Sequence, residues 1–336
     1  MITVTLLARK DCHLCEQVQA DLGSLQDEYP HRLVVLDIDD DPDLQHTYME
    51  KVPVVEIGPY RLEAPIDRQR LAITLGAMQH RHEQLTAVED KAYQSRLDRG
   101  KHMSKTDRFS LWFSNHYMII FNLLVFIYVG LPFLAPVLHN AGAPGPANAI
   151  HWMYSGLCHQ LSFRSWFLFG EQPVYPREPA GLENYETFEE ATGIDEDALM
   201  PARRFKGNET VGYKVALCQR DVAIYASILL FGLLFAATGR KWKPLPLLVW
   251  LAVALVPIGL DGGSQLVGMY AAAFEGPFWD FVGTIFPPRE STPFLRTLTG
   301  FLFGFSTAWF GYPMVEEAMA DTRMLLTKKA AQVQER

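Results

Sequence analysis

Two kinds of hydrophobic patterning divide this chain. Up to residue 108 the apolar runs are short and punctuated. Ile2-Thr3-Val4-Thr5-Leu6-Leu7-Ala8, Arg32-Leu33-Val34-Val35-Leu36-Asp37-Ile38 and Lys51-Val52-Pro53-Val54-Val55-Glu56-Ile57 read as strands. Glu16-Gln17-Val18-Gln19-Ala20-Asp21-Leu22 and the polar stretch Asp43–Glu50 read as helices. A Gly58-Pro59 turn leads to a fourth strand, Tyr60-Arg61-Leu62-Glu63, and Asp67 is placed to cap a last helix through Leu71 and Ile73. The predicted order is βαβαββα over residues 1–80, followed by a charged linker over 81–108.

From 109 to 320 the pattern changes to long apolar runs, which predict an all-α polytopic membrane domain in contact with the lipid bilayer. Four segments are long enough to span: Leu111–Leu138, Asp221–Thr238, Pro244–Leu260 and Phe294–Met314. A fifth, Ala149–Gly170, is interrupted by Cys158-His159-Gln160 and Arg164-Ser165. The insertion 171–213 is acidic and reads as a small extramembrane subdomain or loop, and Ala271–Pro288 reads as an amphipathic interfacial segment. Four spans put the linker, the basic junction Arg240-Lys241-Trp242-Lys243 and the basic tail 321–336 on one side, the cytoplasmic one by the positive-inside rule.

Composition narrows the classes. The net charge of −8 argues against nucleic acid as a partner. Four cysteines in 336 residues are too few for a disulfide scaffold. Met1 opens straight into a strand pattern, so no signal peptide is expected, and the N-terminal domain of this integral membrane protein is expected in the cytoplasm. There a close cysteine pair is more often redox-active or metal-binding than structural.

Cys12-His13-Leu14-Cys15 is such a pair, set on the turn from the first strand into the first helix. The helix N-terminus stabilises a thiolate at Cys12, and Cys15 can resolve a mixed disulfide. Half of a zinc site is the competing reading, but it needs a second pair that this half lacks. With Val52-Pro53 before the third strand and the element order, these residues resemble the thioredoxin fold, and small glutaredoxin-like proteins in particular. The resemblance implies a cis Pro53 beside the thiols, thiol–disulfide exchange, and glutathione or a thiol-containing protein as partner. His13-Leu14 departs from the Pro-Tyr common in glutaredoxins.

Polar motifs recur at the ends of the apolar segments: Cys158-His159-Gln160 with Arg164-Ser165, Cys218-Gln219-Arg220-Asp221, Asp261-Gly262-Gly263-Ser264-Gln265, and Arg289-Glu290-Ser291-Thr292 with Arg296 and Thr299-Gly300. Antiparallel spans carry them to one face, and charges at such depths tend to mark a site. The pattern resembles an uncharacterised family of small prokaryotic membrane proteins with Cys-His-Gln, Cys-x-Arg-Cys and Asp-Gly-x-x-Gln motifs. Asp221 stands where that family has its second cysteine. Cys158, His159, Cys218 and Asp221 or Asp261 are candidate zinc ligands.

Three functions compete. The first is a membrane-tethered thiol–disulfide oxidoreductase using Cys12, Cys15 and Pro53. The second is a metal- or anion-binding membrane enzyme or transporter, in which arginines clamp a phosphate and the redox domain regulates. The third is a non-enzymatic redox sensor.

Overall fold

The structure, a computed structural model, describes residues 2–334. The chain forms two units, Met1–Tyr117 with Glu317–Arg336, and Met118–Glu316.

The first unit is built on a four-stranded sheet of order β2-β1-β3-β4, with β1 at Ile2–Ala8, β2 at His31–Asp37, β3 at Val54–Ile57 and β4 at Tyr60–Glu63. β1 pairs parallel with β2, Ile2 facing His31, and antiparallel with β3, Val4 facing Ile57. β1 is central and covered on both faces, which is why its run is apolar without strict alternation. On one face α1 (His13–Ser24) and α3 (Arg68–Ala87) pack Val18, Leu22, Leu71 and Leu75 against Val4, Leu6, Val55 and Ile57. On the other, α2 (Pro42–Tyr48) packs Leu44 and Tyr48 against Leu7, Ile38 and Val54. Asp67 caps α3 as expected, its carboxylate accepting the Arg70 N–H at 2.7 Å. The order βαβαββα is the predicted one. α3 runs past residue 80 to Ala87, and α4 (Lys91–Arg99) gives the charged linker helical structure.

The basic tail is also helical. It completes the last helix, Pro293–Gln334, and packs on the sheet of this unit. Arg323 donates to both carboxylate oxygens of Asp43, at 2.5 and 3.2 Å. Lys328 donates to Glu56 at 2.7 Å and sits over the Tyr48 ring. Gln332 donates to Thr5 Oγ1 at 2.9 Å.

The second unit is largely helical. α5 (Lys105–Asn140), α9 (Gln219–Ala237) and the helix Leu247–Ala273 are long and apolar enough to cross a membrane. The predicted span 294–314 lies on the last helix, which is not among those three. Within Leu247–Ala273, Leu251–Leu255 forms a π-helical turn. The helix continues thirteen residues past Leu260, where the sequence pattern ends the span, because Gly262-Gly263 do not break it. The segment 149–170 is no span. α6 (Pro144–Tyr154) has 11 residues, roughly 16 Å against a hydrocarbon layer of about 30 Å. The chain then turns into β5 (Ser165–Leu168).

The all-α expectation misses a small antiparallel sheet of order β5-β7-β6, with β6 at Gly207–Asn208 and β7 at Gly212–Cys218. With α7 (Phe188–Thr192) and α8 (Leu199–Arg204) it encloses Phe163, Phe167, Tyr175, Phe188, Ala202 and Val211. The insertion 171–213 is thus part of a folded subdomain. Val215-Ala216-Leu217 of β7 runs almost directly into α9, so hydropathy alone does not separate strand from helix.

α9 and the last helix approach closely at Gly300 and Gly304. A Cβ there would lie 2.6 Å from the Arg220 carbonyl oxygen and 2.2 Å from that of Ile224. This four-residue glycine spacing allows helix backbones to touch in an apolar setting. The Thr299-Gly300 motif thereby has a packing role. At the other end of α9, Arg240 pairs with Glu316 at 3.3 Å and Trp309 donates to the Lys243 carbonyl at 3.1 Å.

Candidate functional site

The first unit carries the sulfur pair. Cys12 is the N-cap of α1, in extended conformation at φ −107° and ψ 95°. Its Sγ accepts the Cys15 N–H at 3.3 Å, and its carbonyl accepts the N–H groups of Cys15 and Glu16 at 2.9 and 3.1 Å. The two sulfurs are joined in a disulfide, with the Cα atoms 5.3 Å apart. Cys12 is half-buried, whereas Cys15 is 3% exposed and belongs to the core under α1. An incoming thiolate therefore meets Cys12 first. His13 and Leu14 are exposed on the rim. Lys10, 80% exposed, lies 3.6 Å from Asp37, so its charge is shared with that carboxylate and with water. Pro53 is buried at the entry to β3, and the Val52–Pro53 bond is cis, as the glutaredoxin resemblance implies.

The second unit carries the polar cluster. Cys158 follows α6, Cys218 ends β7 and caps α9, and Asp221 lies one turn into α9. Candidate ligand atoms of these three lie within 4.8 Å of one another. The Cys218 thiol donates to Asp221 Oδ2 at 3.1 Å. The hydrogen bond with Cys218, with burial, pushes the Cys158 thiol up, and the same bond lowers that of Cys218. They border a cavity of about 240 Å³, also lined by His159, Gln160, Arg164, Arg220, Gln265 and Arg296.

Two buried carboxylates hold the wall of this cavity. Asp261, 5% exposed, accepts from Arg220 at 2.5 Å, Arg289 at 3.0 Å and the Ser291 hydroxyl at 2.7 Å. Glu290, also 5% exposed, takes a two-pronged contact from Arg164 at 2.9 and 3.1 Å, a direct bond from Arg296, and Arg177 at 3.7 Å. Such forked guanidinium–carboxylate pairs are strong and directional.

Of the predicted cluster, nine residues line the cavity and two do not. Ser165 is fully buried, its hydroxyl donating to the Leu161 carbonyl at 3.1 Å. Asp261, a candidate zinc ligand from sequence, is engaged by two arginines and a serine instead. His159 lines the cavity but stands outside the Cys158–Cys218–Asp221 group. Sequence reasoning placed Glu290 in the polar stretch Arg289-Glu290-Ser291-Thr292, a break between Pro287-Pro288 and Pro293, but gave it no role of its own in the site. It passed over Lys214, a lone cation in an apolar strand, which alone was a signal.

Lys214 is fully buried and donates to the Gln160 carbonyl at 2.8 Å, the Ser162 hydroxyl at 3.2 Å and the Arg203 carbonyl at 2.7 Å. Burial, helped by the charge of Lys206, lowers its pKa from 10.5 to about 7. Between those values the unfolded chain binds the extra proton, so stability rises with pH across that window. Below about pH 7 the cost of the buried charge is present in full. In a Lys214→Met variant this contribution is missing. Urea unfolding at pH 7 and pH 9 should show the wild type gaining on the variant at the higher pH. Parallel pH profiles would contradict the lowered pKa.

Together these features define a thioredoxin-like redox domain joined to a polytopic helical domain with a buried cysteine, carboxylate and arginine cluster. Comparison with known proteins agrees. The profile of a glutaredoxin-like domain (DUF836) matches residues 3–76, and that of a predicted membrane protein family (DUF2085) matches residues 203–310. The chain joins a glutaredoxin-like domain to a domain of that predicted membrane protein family. An uncharacterized protein of Methanocaldococcus jannaschii is 23% identical over 209 residues, which are 60% of this chain and 94% of that relative. Among solved structures, a structural genomics target protein from X. campestris is 36% identical, covering 22% of this chain and 96% of its own, with a TM-score of 0.20.

Proposed function

We propose that this protein is a membrane-tethered thiol–disulfide oxidoreductase. Cys12 is the attacking sulfur, Cys15 resolves the mixed disulfide, and Pro53 shapes the edge along which a substrate lies. The observation that carries this reading is the position of Cys12. It is the accessible sulfur of the pair, held at the N-cap of α1 with a backbone N–H directed at it. Attack by a substrate-derived or glutathione thiolate breaks the Cys12–Cys15 bond, joins the attacker to one sulfur and leaves the other as thiolate. A second substrate thiolate then displaces the protein sulfur, so two substrate thiols become a disulfide and Cys12 and Cys15 are reduced. In reverse, the Cys12 thiolate attacks a substrate disulfide, Cys15 resolves the adduct, and two substrate thiols are released.

In this reading the N-terminal unit faces the cytoplasm and the chain crosses the membrane four times. Basic residues Lys101, Lys105 and Arg108 precede the first span, and Arg240-Lys241-Trp242-Lys243 follows the second. The last helix counts as the fourth crossing because its stretch from Gly300 to Glu316 meets opposite ends of α9. Gly300 touches Arg220, and Glu316 pairs with Arg240.

The test is a redox titration of the full chain in detergent, against glutathione buffers of graded potential, with alkylation and mass analysis. Cys12 and Cys15 should lose their thiols together as one two-electron couple. Two thiols alkylated independently at every potential would remove the proposal.

A further inference from the structure

The second unit contains three sulfur and oxygen ligands gathered at the wall of a polar cavity, and the redox reaction uses none of them. Cys158 and Cys218 lie 60 residues apart in sequence yet meet at this wall, and Asp221 accepts from the Cys218 thiol at 3.1 Å. Their candidate ligand atoms fall within 4.8 Å of one another. Tetrahedral zinc with bonds of about 2.3 Å sets two thiolates roughly 3.8 Å apart, which this cluster can meet with small side-chain rotations.

A second observation is independent of the sulfurs. Gln265 lines the same cavity and is 7% exposed, yet its side-chain N–H₂ has no partner among the described residues. The Arg220 Nε is in the same state. A buried donor left unsatisfied costs about 1–3 kcal/mol, and a ligand oxygen in the cavity would meet that need. Gln265 lies one turn beyond Asp261 on the same helix face, and Asp261 anchors Arg220.

We propose that Cys158, Cys218 and Asp221 bind a thiophilic divalent metal ion, zinc by ligand type, whose fourth position opens onto the arginine-lined cavity and takes an oxyanion. Binding displaces both thiol protons to solvent, so the two thiolates, the carboxylate and the metal carry a net charge of −1. Arg164, Arg220 and Arg296 line the cavity, while their partners Glu290 and Asp261 supply two negative charges. With Arg289 also on Asp261, guanidinium charge exceeds that of the two carboxylates and offsets the metal centre, and the unpaired donors of Gln265 and Arg220 face the incoming oxygen. Three protein ligands with an open position is the arrangement of metal sites that bind or activate a ligand, whereas structural zinc is closed by four. This site stands or falls independently of the Cys12–Cys15 chemistry.

The test uses the full chain, purified in detergent under reducing conditions without chelator. It should carry one zinc per chain by elemental analysis, and the Cys12→Ser/Cys15→Ser variant should carry the same amount. Cobalt in place of zinc should give the near-ultraviolet absorption of cobalt–thiolate bonds. Cys158→Ser or Cys218→Ser should each remove about half of that band, with gel filtration confirming a folded chain. Inorganic phosphate should shift the visible cobalt bands, and Gln265→Leu should weaken phosphate binding about tenfold while leaving metal content unchanged. Wild-type protein without a cobalt–thiolate band, or metal retained when both Cys158 and Cys218 are serine, overturns the metal site. A Cys158–Cys218 disulfide as the stable form of the purified protein also overturns it. Cobalt bands that phosphate does not move overturn the open position.

Discussion

Cys12→Ser should lower the rate of disulfide reduction by at least about 10³-fold, to the level of solution thiols alone. The reason is chemical and local. A serine hydroxyl forms no mixed disulfide, and among the four cysteines the alternatives are poorly placed. Cys15 is 3% exposed beneath α1, so a substrate sulfur cannot approach it in line even with serine at the N-cap. Cys158 is 7% exposed, and its thiol is pushed up by the bond with Cys218 and by burial, which makes it a weak nucleophile. Cys15→Ser should behave differently: the first attack survives, the adduct on Cys12 persists, and turnover falls because the resolving sulfur is gone. Thiol release from a disulfide-bonded peptide, followed with the full chain in detergent, reads both variants. A rate in Cys12→Ser equal to wild type would place the chemistry elsewhere.

Glu290→Ala should be the most damaging single substitution in the second unit, at about 3–5 kcal/mol. Its carboxylate neutralises Arg164 and Arg296 and lies 3.7 Å from Arg177. Arg296 has a side chain only 5% exposed, so removing Glu290 leaves a largely buried guanidinium without its carboxylate. The cost of an uncompensated buried charge exceeds what any one contact gains. Glu290→Gln keeps the volume and one acceptor and should cost less, roughly 1–3 kcal/mol. Denaturant unfolding in detergent measures both, and disulfide turnover by the first unit serves as the control for global misfolding. Wild-type stability in Glu290→Ala would show that the arginines are hydrated in solution.

The redox half was readable because its signals are local. Cys12 and Cys15 sit on one turn, Asp67 caps α3 from the adjoining residue, and the strand runs end at Pro and Gly. The cluster was readable as a set of motifs but not as a set of pairs. Asp261 suits a metal by residue type, yet its partners are Arg220, Arg289 and Ser291, and no rule of spacing selects them. Glu290 meets Arg164 from 126 residues away, a choice made by the packing of chain segments. Gly262-Gly263 read as the end of a span, although in an apolar setting the helix passes through both. β7 was hidden because its apolar residues run into those of α9. Gly300 read as part of a site motif, whereas its lack of a side chain, with that of Gly304, lets two backbones meet.

The most direct measurement is a trap in living cells. With Cys15→Ser, Cys12 can attack but its adduct cannot be resolved within the chain, so whatever it meets is held by a disulfide. The account predicts an adduct on Cys12, to glutathione or to a separate thiol protein, that is released by reductant and absent from the Cys12→Ser/Cys15→Ser variant. No adduct, together with a Cys12 that resists alkylation at neutral pH, would contradict it.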